Sequence, residues 1–300
     1  MEYLWGVDLG GTKIEGVILD PATLDRPICR LRVPTEAEKG YAHIRGQIGK
    51  LIKMISEESG LPLPKRIGMG TPGTIDPRLG TIKNSNTQCL NGQRLRDDIE
   101  ADLGLKFETA NDANCFALAE ATLGAARGFP TVFGVILGSG VGGGIVVNGQ
   151  VLNGCHGIAG EWGQIVIDPN GPLSNYGTRG TVEAIISGPA LERFYAERSG
   201  EKRKLAEIVA LAEEHKDSHA QATIDRLTDI FAKSIGIIID VLDPHAIVLG
   251  GGVGNIPALY TQETRGKINA VICNPTFEAA LLKPTLGDSA GVFGAAMLVG

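Results

Sequence analysis

Cysteine, clustered basic residues, long apolar runs and spacer segments are all scarce in this chain, and each scarcity removes a class of protein. The five cysteines, Cys29, Cys89, Cys115, Cys155 and Cys273, are an odd number without C-x-x-C spacing, which argues against a disulfide framework or a zinc knuckle and suits a reducing compartment. No apolar stretch nears the length that spans a bilayer, and no charged segment precedes an apolar core at the N-terminus, so a cytoplasmic protein is expected. The formal net charge is -6 and the basic residues are dispersed, against a general role on nucleic acid or a membrane surface. No linker or low-complexity segment divides the 300 residues. With 43% hydrophobic and 21% charged residues, the chain has ample core for a globular protein, and its length suits two domains.

Glycine is abundant. Gly134 to Val147, GVILGSGVGGGIVV, reads as an apolar strand, a glycine-packed turn and a second apolar strand, and Trp5 to Leu19, WGVDLGGTKIEGVIL, repeats that plan. Glycine permits positive φ and close approach to a ligand, and successive N–H groups in such turns suit phosphate oxygens. Either turn alone is most simply a hairpin. The pair, with Asp8 entering the first and Ser139 in the second, points to two facing loops around one polyphosphate. On this basis Gly140 and Gly143 are expected to tolerate side chains poorly.

The remaining pattern alternates strands and helices. Strands are expected at Tyr3 to Val7, Lys13 to Leu19, Ile28 to Val33, Arg66 to Met69, Lys106 to Thr109, Gln164 to Ile167 and Ala246 to Leu249. Helices are expected at Tyr41 to Glu58, Leu95 to Leu103, Ala113 to Gly124, Thr181 to Ser187, Ala190 to Glu197, Leu205 to His215, Gln221 to Leu242 and Ser289 to Val299, with glycine turns at Gly70 to Gly73 and Gly250 to Gly252. The repeated hairpin places the domain boundary near Asn111, giving residues 1–110 joined by the last helix, about 289–300, and residues 111–288.

Asn111 and Asp112, in ANDAN, sit where a strand gives way to a helix, the usual place for a cap. A carboxylate at the rim of a cleft is also suited to take the proton of a sugar hydroxyl. With Asn86, Glu161 of GEWG and Glu183, they supply the carboxylates and amides that polyol recognition needs, because hydroxyls both donate and accept.

DLGGTK, GTPG, NDAN, LGSGVGGG, GEWG, VEAIISG and IVLGGGVGN, in this order from Gly6 to Gly294, resemble the ROK family of sugar kinases. The resemblance implies an α/β fold of two domains, actin-like or hexokinase-like (ribonuclease H-like), with ATP in the interdomain cleft. It implies Asp112 as general base and Asn111, Glu161, Gln164, Glu183 and Asn86 around the sugar, with Gly70, Thr71, Pro72 and Gly73 lining its pocket. It further implies Asp8 holding Mg²⁺ through water, Gly10, Gly11, Thr12, Lys13, Gly138, Ser139 and Gly140 at the phosphates, Gly251 and Gly252 near the adenosine, Gly188 in the nucleotide site, and a homodimer.

The chain departs from the family pattern at the His-plus-three-Cys zinc site. The corresponding positions hold Gln164, Ser174, Tyr176 and Thr181, so no zinc site is expected and the loop must hold its course by hydrogen bonding and packing. KNSN, LNGQ, the GEWG tryptophan and GDSAGVFGAA look most like the fructokinase branch. Fructose or mannose is therefore the expected sugar, ahead of glucose or N-acetylhexosamine. Some ROK proteins are sugar-sensing repressors with an N-terminal DNA-binding module; with Met1 and Glu2 before the first strand and an acidic net charge, that reading is expected only where a partner supplies the DNA contact.

Overall fold

The computed structural model describes residues 2–300. Its first strands are β1 (Leu4–Leu9), β2 (Lys13–Leu19) and β3 (Pro27–Pro34), with β2 antiparallel to both of the others. Helix α1 (Tyr41–Ser59) buries Ile44, Ile48, Leu51, Ile52 and Ile55, one stripe at helical spacing, and ends at Gly60 with φ +68°. Strand β4 (Arg66–Thr71) returns parallel to β1. The two-residue strands β5 (Thr74–Ile75) and β6 (Ile82–Lys83) form a small ribbon. Helix α2 (Leu95–Leu103) then leads into β7 (Lys106–Asn111), parallel to β4, and into α3 (Asp112–Thr122). The sheet order is β3-β2-β1-β4-β7.

A second sheet is built from β8 (Thr131–Leu137), β9 (Val141–Val147) and β10 (Gln150–Val151), followed by α4 (Val182–Ile186), α5 (Gly188–Ser199), α6 (Leu205–Glu213) and α7 (Ser218–Leu242). Strand β11 (Ala246–Gly250), the short helix α8 (Gly251–Gly254), α9 (Gln262–Asn269), β12 (Ala280–Leu282) and α10 (Ala290–Met297) complete the chain. This sheet runs β10-β9-β8-β11-β12, with β11 parallel to β8 and β12.

Two compact units result. One comprises the residues up to Gly128 together with Gly144–Ala159 and Thr285–Gly300, the other Phe129–Gly143 and Gly160–Pro284. This division differs from a boundary near Asn111, because α3 packs against α10 within the first unit. Helix α10 lies so close that a Cβ added to Gly68 of β4 would fall 1.7 Å from Ala295 O, and one added to Gly294 would fall 1.8 Å from Cys115 O of α3. Its small residues permit backbone-to-backbone packing on both sides.

Three expectations change in the structure. Residues 164–167 are no strand: Trp162–Gln164 make a 3₁₀ turn, and Val166 has only an isolated bridge to Thr181, since no strand neighbours the segment. Helix α5 begins at Gly188, two residues before the expected Ala190, with Pro189 in its first turn, because a first-turn N–H needs no partner. Gly251 and Gly252 open helix α8 instead of forming a free turn. Helix α9 and β12 go unmarked in the sequence; α9 buries only Thr264 and Ile268, too little for an apolar stripe.

Gly68→Ala and Gly294→Ala are expected to destabilise the protein by at least the roughly 1–3 kcal/mol typical of overpacking, because backbone cannot swing aside. Gly46→Ala is the control. It lies within α1 with nothing near its missing Cβ and should add about 0.5–1 kcal/mol. Denaturant unfolding compares the three, and a Gly68→Ala variant as stable as its parent would refute the close-packing account.

Candidate active site

In the first unit, three parallel strands end side by side. Asp8 pairs in register with Gly70, and Gly70 and Thr71 pair with Ala110 and Asn111. The ladder therefore brings Asp8, the GTPG turn and the Asn111–Asp112 corner to one edge, as chemistry at strand C-termini requires. Asn111 Oδ1 accepts the Asn114 N–H at 2.9 Å as the cap of α3, and Asp112 Oδ1 accepts the Ala113 N–H at 2.8 Å. Both residues are thus caps, and the Asp112 side chain remains open to solvent. Crowding by the surrounding chain lifts its carboxyl above the ordinary range, while the Ala113 N–H and its own N–H oppose this.

Asp8 is wedged more tightly. A Cβ at Gly70 would lie 3.1 Å from Asp8 Oδ1, and one at Gly291 would lie 2.7 Å from Asp8 Oδ2, so glycine at both places makes room for the carboxylate. Burial, then the charges of Asp112 and Glu15, push the Asp8 pKa up to about 7, with Lys13 pulling it down. Glu15 stands directly across the β1–β2 ladder from Asp8. It is buried and meets Arg30, Arg32 Nε at 2.9 Å and Lys13 Nζ at 3.6 Å. The ammonium of Lys13 is accordingly tied to Glu15.

Thr71 fixes the neighbouring turn, its hydroxyl donating to Gly73 O at 2.8 Å and reaching Ala110 O at 3.3 Å. Gly73 has φ +143° and a Cβ there would lie 2.8 Å from Lys83 O. Exposed Asn86 follows Ser85, whose backbone is held at both ends by the Asn91 amide, at 2.9 Å each. Gly10, Gly11 and Thr12 form the β1–β2 turn, and Gly10 N donates to Lys13 O at 3.0 Å.

In the second unit, the Gly138–Ser139–Gly140 turn closes through Gly138 N to Gly140 O at 2.9 Å, and Gly188 N donates to Gly138 O at 2.8 Å. Glu183 Oε2 accepts the Val141 N–H at 2.9 Å, so this carboxylate supports the glycine turn. Trp162 packs edge-on to Phe133 and Phe231 and donates its indole N–H to Gly142 O at 2.8 Å. That anchors Glu161 and Gln164 on either side. Gly251 has φ +83°, and a Cβ there would sit 2.2 Å from Leu137 O; Gly252 is exposed.

None of Gly10, Gly11, Gly138, Gly140 or Gly143 takes positive φ. At Gly10, Gly140 and Gly143 the need is for space, whereas a Cβ at Gly138 would meet nothing and one at Gly11 only Thr87 Oγ1 at 3.7 Å. A Cβ at Gly140 would meet the Glu183 carboxylate at 2.9 Å, whereas one at Gly143 would strike Gly160 O, Trp162 and Phe133 within 2.9 Å. Gly143 is thus a packing position.

Hydrogen bonds organise the loop at the four departed zinc-ligand positions. Ser174 N donates to Thr178 O at 2.8 Å, Ser174 Oγ accepts the N–H groups of Tyr176 and Thr178, and Thr181 Oγ1 caps α4 through Ala184 N. Gly177 and Gly180 take positive φ. Burial and the charges of Glu183 and Glu161 raise the Tyr176 pKa, which keeps the phenol neutral and poor at binding metal. Among the described residues no group of three His, Cys, Asp or Glu side chains is arranged to hold a metal ion.

Sequence reasoning passes over Glu15, Asn91, Gly291 and Asn114. Asn114 is buried with its carbonyl oxygen unpartnered; its place in NDAN was the available signal. For Glu15, the signal was a charge within an apolar strand.

The description "ROK family" fits residues 4–300 of the chain. The chain belongs to the ROK family. N-acetyl-D-glucosamine kinase from Aliivibrio fischeri is 34% identical over 304 residues, covering 98% of each protein. The solved ROK hexokinase from Thermus thermophilus is 31% identical, with a TM-score of 0.88 over 99% of this chain and 97% of that one. A ROK glucokinase from Streptomyces griseus, solved with glucose and AMPPNP, is 27% identical, with a TM-score of 0.78 over 99% of both. This ROK chain therefore has the two-domain actin-like fold of hexokinase-like sugar kinases.

Two tests follow from the site. A carboxyl whose pKa is raised to about 7 in the folded protein, from about 3.9 unfolded, contributes most to stability below about pH 4 and loses that contribution as pH rises through 7. Asp8→Asn should therefore gain on the parent between pH 4 and 7 and hold the gain above. Partial solvent access reduces the effect to on the order of 1–2 kcal/mol. Urea unfolding without divalent cations across pH 4–8 measures the gap, and a pH-independent gap would refute the assignment. Elemental analysis should find no stoichiometric zinc, and activity should survive chelation once magnesium is restored in excess. One zinc per chain, lost together with activity, would contradict this.

Proposed function

We propose that this ROK sugar kinase transfers the γ-phosphoryl group of ATP to a terminal hydroxyl of an N-acetylated aminohexose, with N-acetyl-D-glucosamine the first substrate to test. The observation that carries the chemistry is Asp112, a solvent-open carboxylate fixed at the head of α3 beside Asp8 and the GTPG turn. Its raised pKa keeps it basic enough to take a hydroxyl proton. In the proposed step, Asp112 accepts that proton as the sugar oxygen bonds to the γ-phosphorus and the bond to the ADP oxygen breaks. Asn111, Glu161, Gln164, Glu183, Asn86 and residues 70–73 orient the sugar. The N–H groups of Gly10, Gly11, Thr12 and Gly138 to Gly140, with Lys13, meet the phosphates, and Gly188, Gly251 and Gly252 border the nucleotide.

A divalent cation suits this carboxylate cluster, since Asp8 is driven towards neutrality by burial, Asp112 and Glu15. Asp8 would hold Mg²⁺ through water, and the ion supplies charge neutralisation for the transferred phosphoryl group.

The whole-length similarity to N-acetyl-D-glucosamine kinases supports an aminohexose over fructose or mannose, which rested on short motifs alone. The intact Asp112 favours an enzyme over a sugar-sensing regulator.

A coupled ADP-release assay across N-acetylglucosamine, N-acetylmannosamine, glucose, mannose and fructose should give the highest kcat/KM with an N-acetylated sugar. A higher value for fructose or mannose would overturn the substrate assignment. Asp112→Asn keeps the Ala113 cap and one acceptor oxygen, so sugar binding by calorimetry should persist while turnover falls by about 10²-fold to 10⁴-fold. Near-normal turnover would reduce Asp112 to a helix cap.

A further inference from the structure

The second unit contains a cationic cavity of about 370 Å³ that the reaction does not use. It is lined by Arg179 of the 168–181 loop, Arg193 and Phe194 of α5, and Arg226 of α7, and its volume lies within the roughly 300–1,000 Å³ of small-molecule sites. The ion pairs of this unit lie elsewhere, on Arg203, Lys204, Lys216 and Lys267. Among the described residues none of the three arginines comes within ion-pairing distance of a carboxylate. Arg179 and Arg193 donate instead to backbone oxygens, Gly171 O and Ala184 O, each at 3.3 Å.

Arg226 lies with its guanidinium carbon 4.4 Å from the centre of the Phe194 ring, and its Nε is buried without a partner. Burial weighs against its charge; Asp168 and Glu197 favour that charge, while Arg193 opposes it. Burial of a stacked guanidinium is a cost to its charge that an anion in the cavity would offset. Glu197 is the one carboxylate in the lining against three arginines, with Asp168 acting on Arg226 from just outside it, so the cavity keeps an excess of positive charge.

We propose that this cavity is a binding site for a small phosphate monoester, its phosphoryl group held by Arg226, Arg193 and Arg179 and its organic part against Phe194 and Pro172. The charge of a phosphate monoester near neutral pH, about −1.5 to −2, is opposite in sign to that excess. Planar guanidinium forks match phosphoryl oxygens pairwise.

Calorimetric titration with inorganic phosphate and with glucose 6-phosphate tests the site, comparing the parent with an Arg193→Gln/Arg226→Gln double variant and with Arg179→Gln. One binding event per chain should be present in the parent and absent from the double variant, with glucose 6-phosphate binding more tightly than phosphate. Arg179→Gln, an exposed loop substitution that leaves folding intact, should weaken that event about tenfold or more, the loss of one charge-assisted hydrogen bond. Superimposable isotherms for all three proteins would overturn the proposal. Inorganic phosphate binding more tightly than the ester would overturn the assignment to a monoester.

Discussion

The first unit depends on a contact that side chains cannot make. Helix α10 meets β1 and β4 on one side and α3 on the other through backbone, with Gly6, Gly68 and Gly294 at the points of closest approach. Larger residues would push α10 away from the sheet, and α3 with it. Because Asp112 opens α3 and Asp8 ends β1, their spacing is set by that three-layer contact. The corner of Asp8 and Asp112 is therefore placed by the least chemically distinctive residues in the chain.

Closeness has an electrostatic consequence. Asp8 lies near the acidic groups of Glu15 and Asp112 on neighbouring elements, and their charges, after burial, disfavour its ionised form. The structure distributes the load unequally. Glu15 is compensated by Lys13, Arg30 and Arg32, whereas Asp8 has the glycine-lined recess and no cation so near. Asp8 is thus the carboxylate whose charge depends most on what else binds.

Much of this was legible in the sequence where pattern and packing coincide. Strand β2 and helix α2 have the bounds that the sequence predicts, α1 buries its isoleucine stripe, and α7 buries Ile224, Leu227, Phe231 and Ile235 at helical spacing while Ile238 and Leu242 stay only partly covered. The meeting of these candidate residues was legible too, since Asp8, residues 70–73, and Asn111 with Asp112 fall at or just past strand ends that the parallel register aligns. Residues 164–167 misled because their apolar character does not mark a buried strand: Val166 is exposed and Ile165 and Ile167 are only partly covered. The last helix was legible as part of the first unit; what the boundary near Asn111 did not convey is that α3 packs on α10 within that same unit. Nor does a glycine in sequence reveal whether it serves positive φ or space; Gly251 does the first and Gly143 the second.

The loop without zinc-binding side chains shows what such a replacement requires. A metal fixes several chain segments through a few strong bonds; without those ligands, each backbone group removed from water needs its own partner. The 168–181 loop meets that requirement locally. Pro172 O accepts Gly180 N, Ser174 exchanges bonds with Thr178, and Gly180 passes so close to Asp168 O that a Cβ would lie 1.5 Å from it. The resulting hairpin turns Arg179 back towards Gly171 and the wall of the cationic cavity. Its geometry follows from backbone bonds that no side-chain motif announces, so the absence of ligands indicated that the loop must be self-supporting but not where its guanidinium would point.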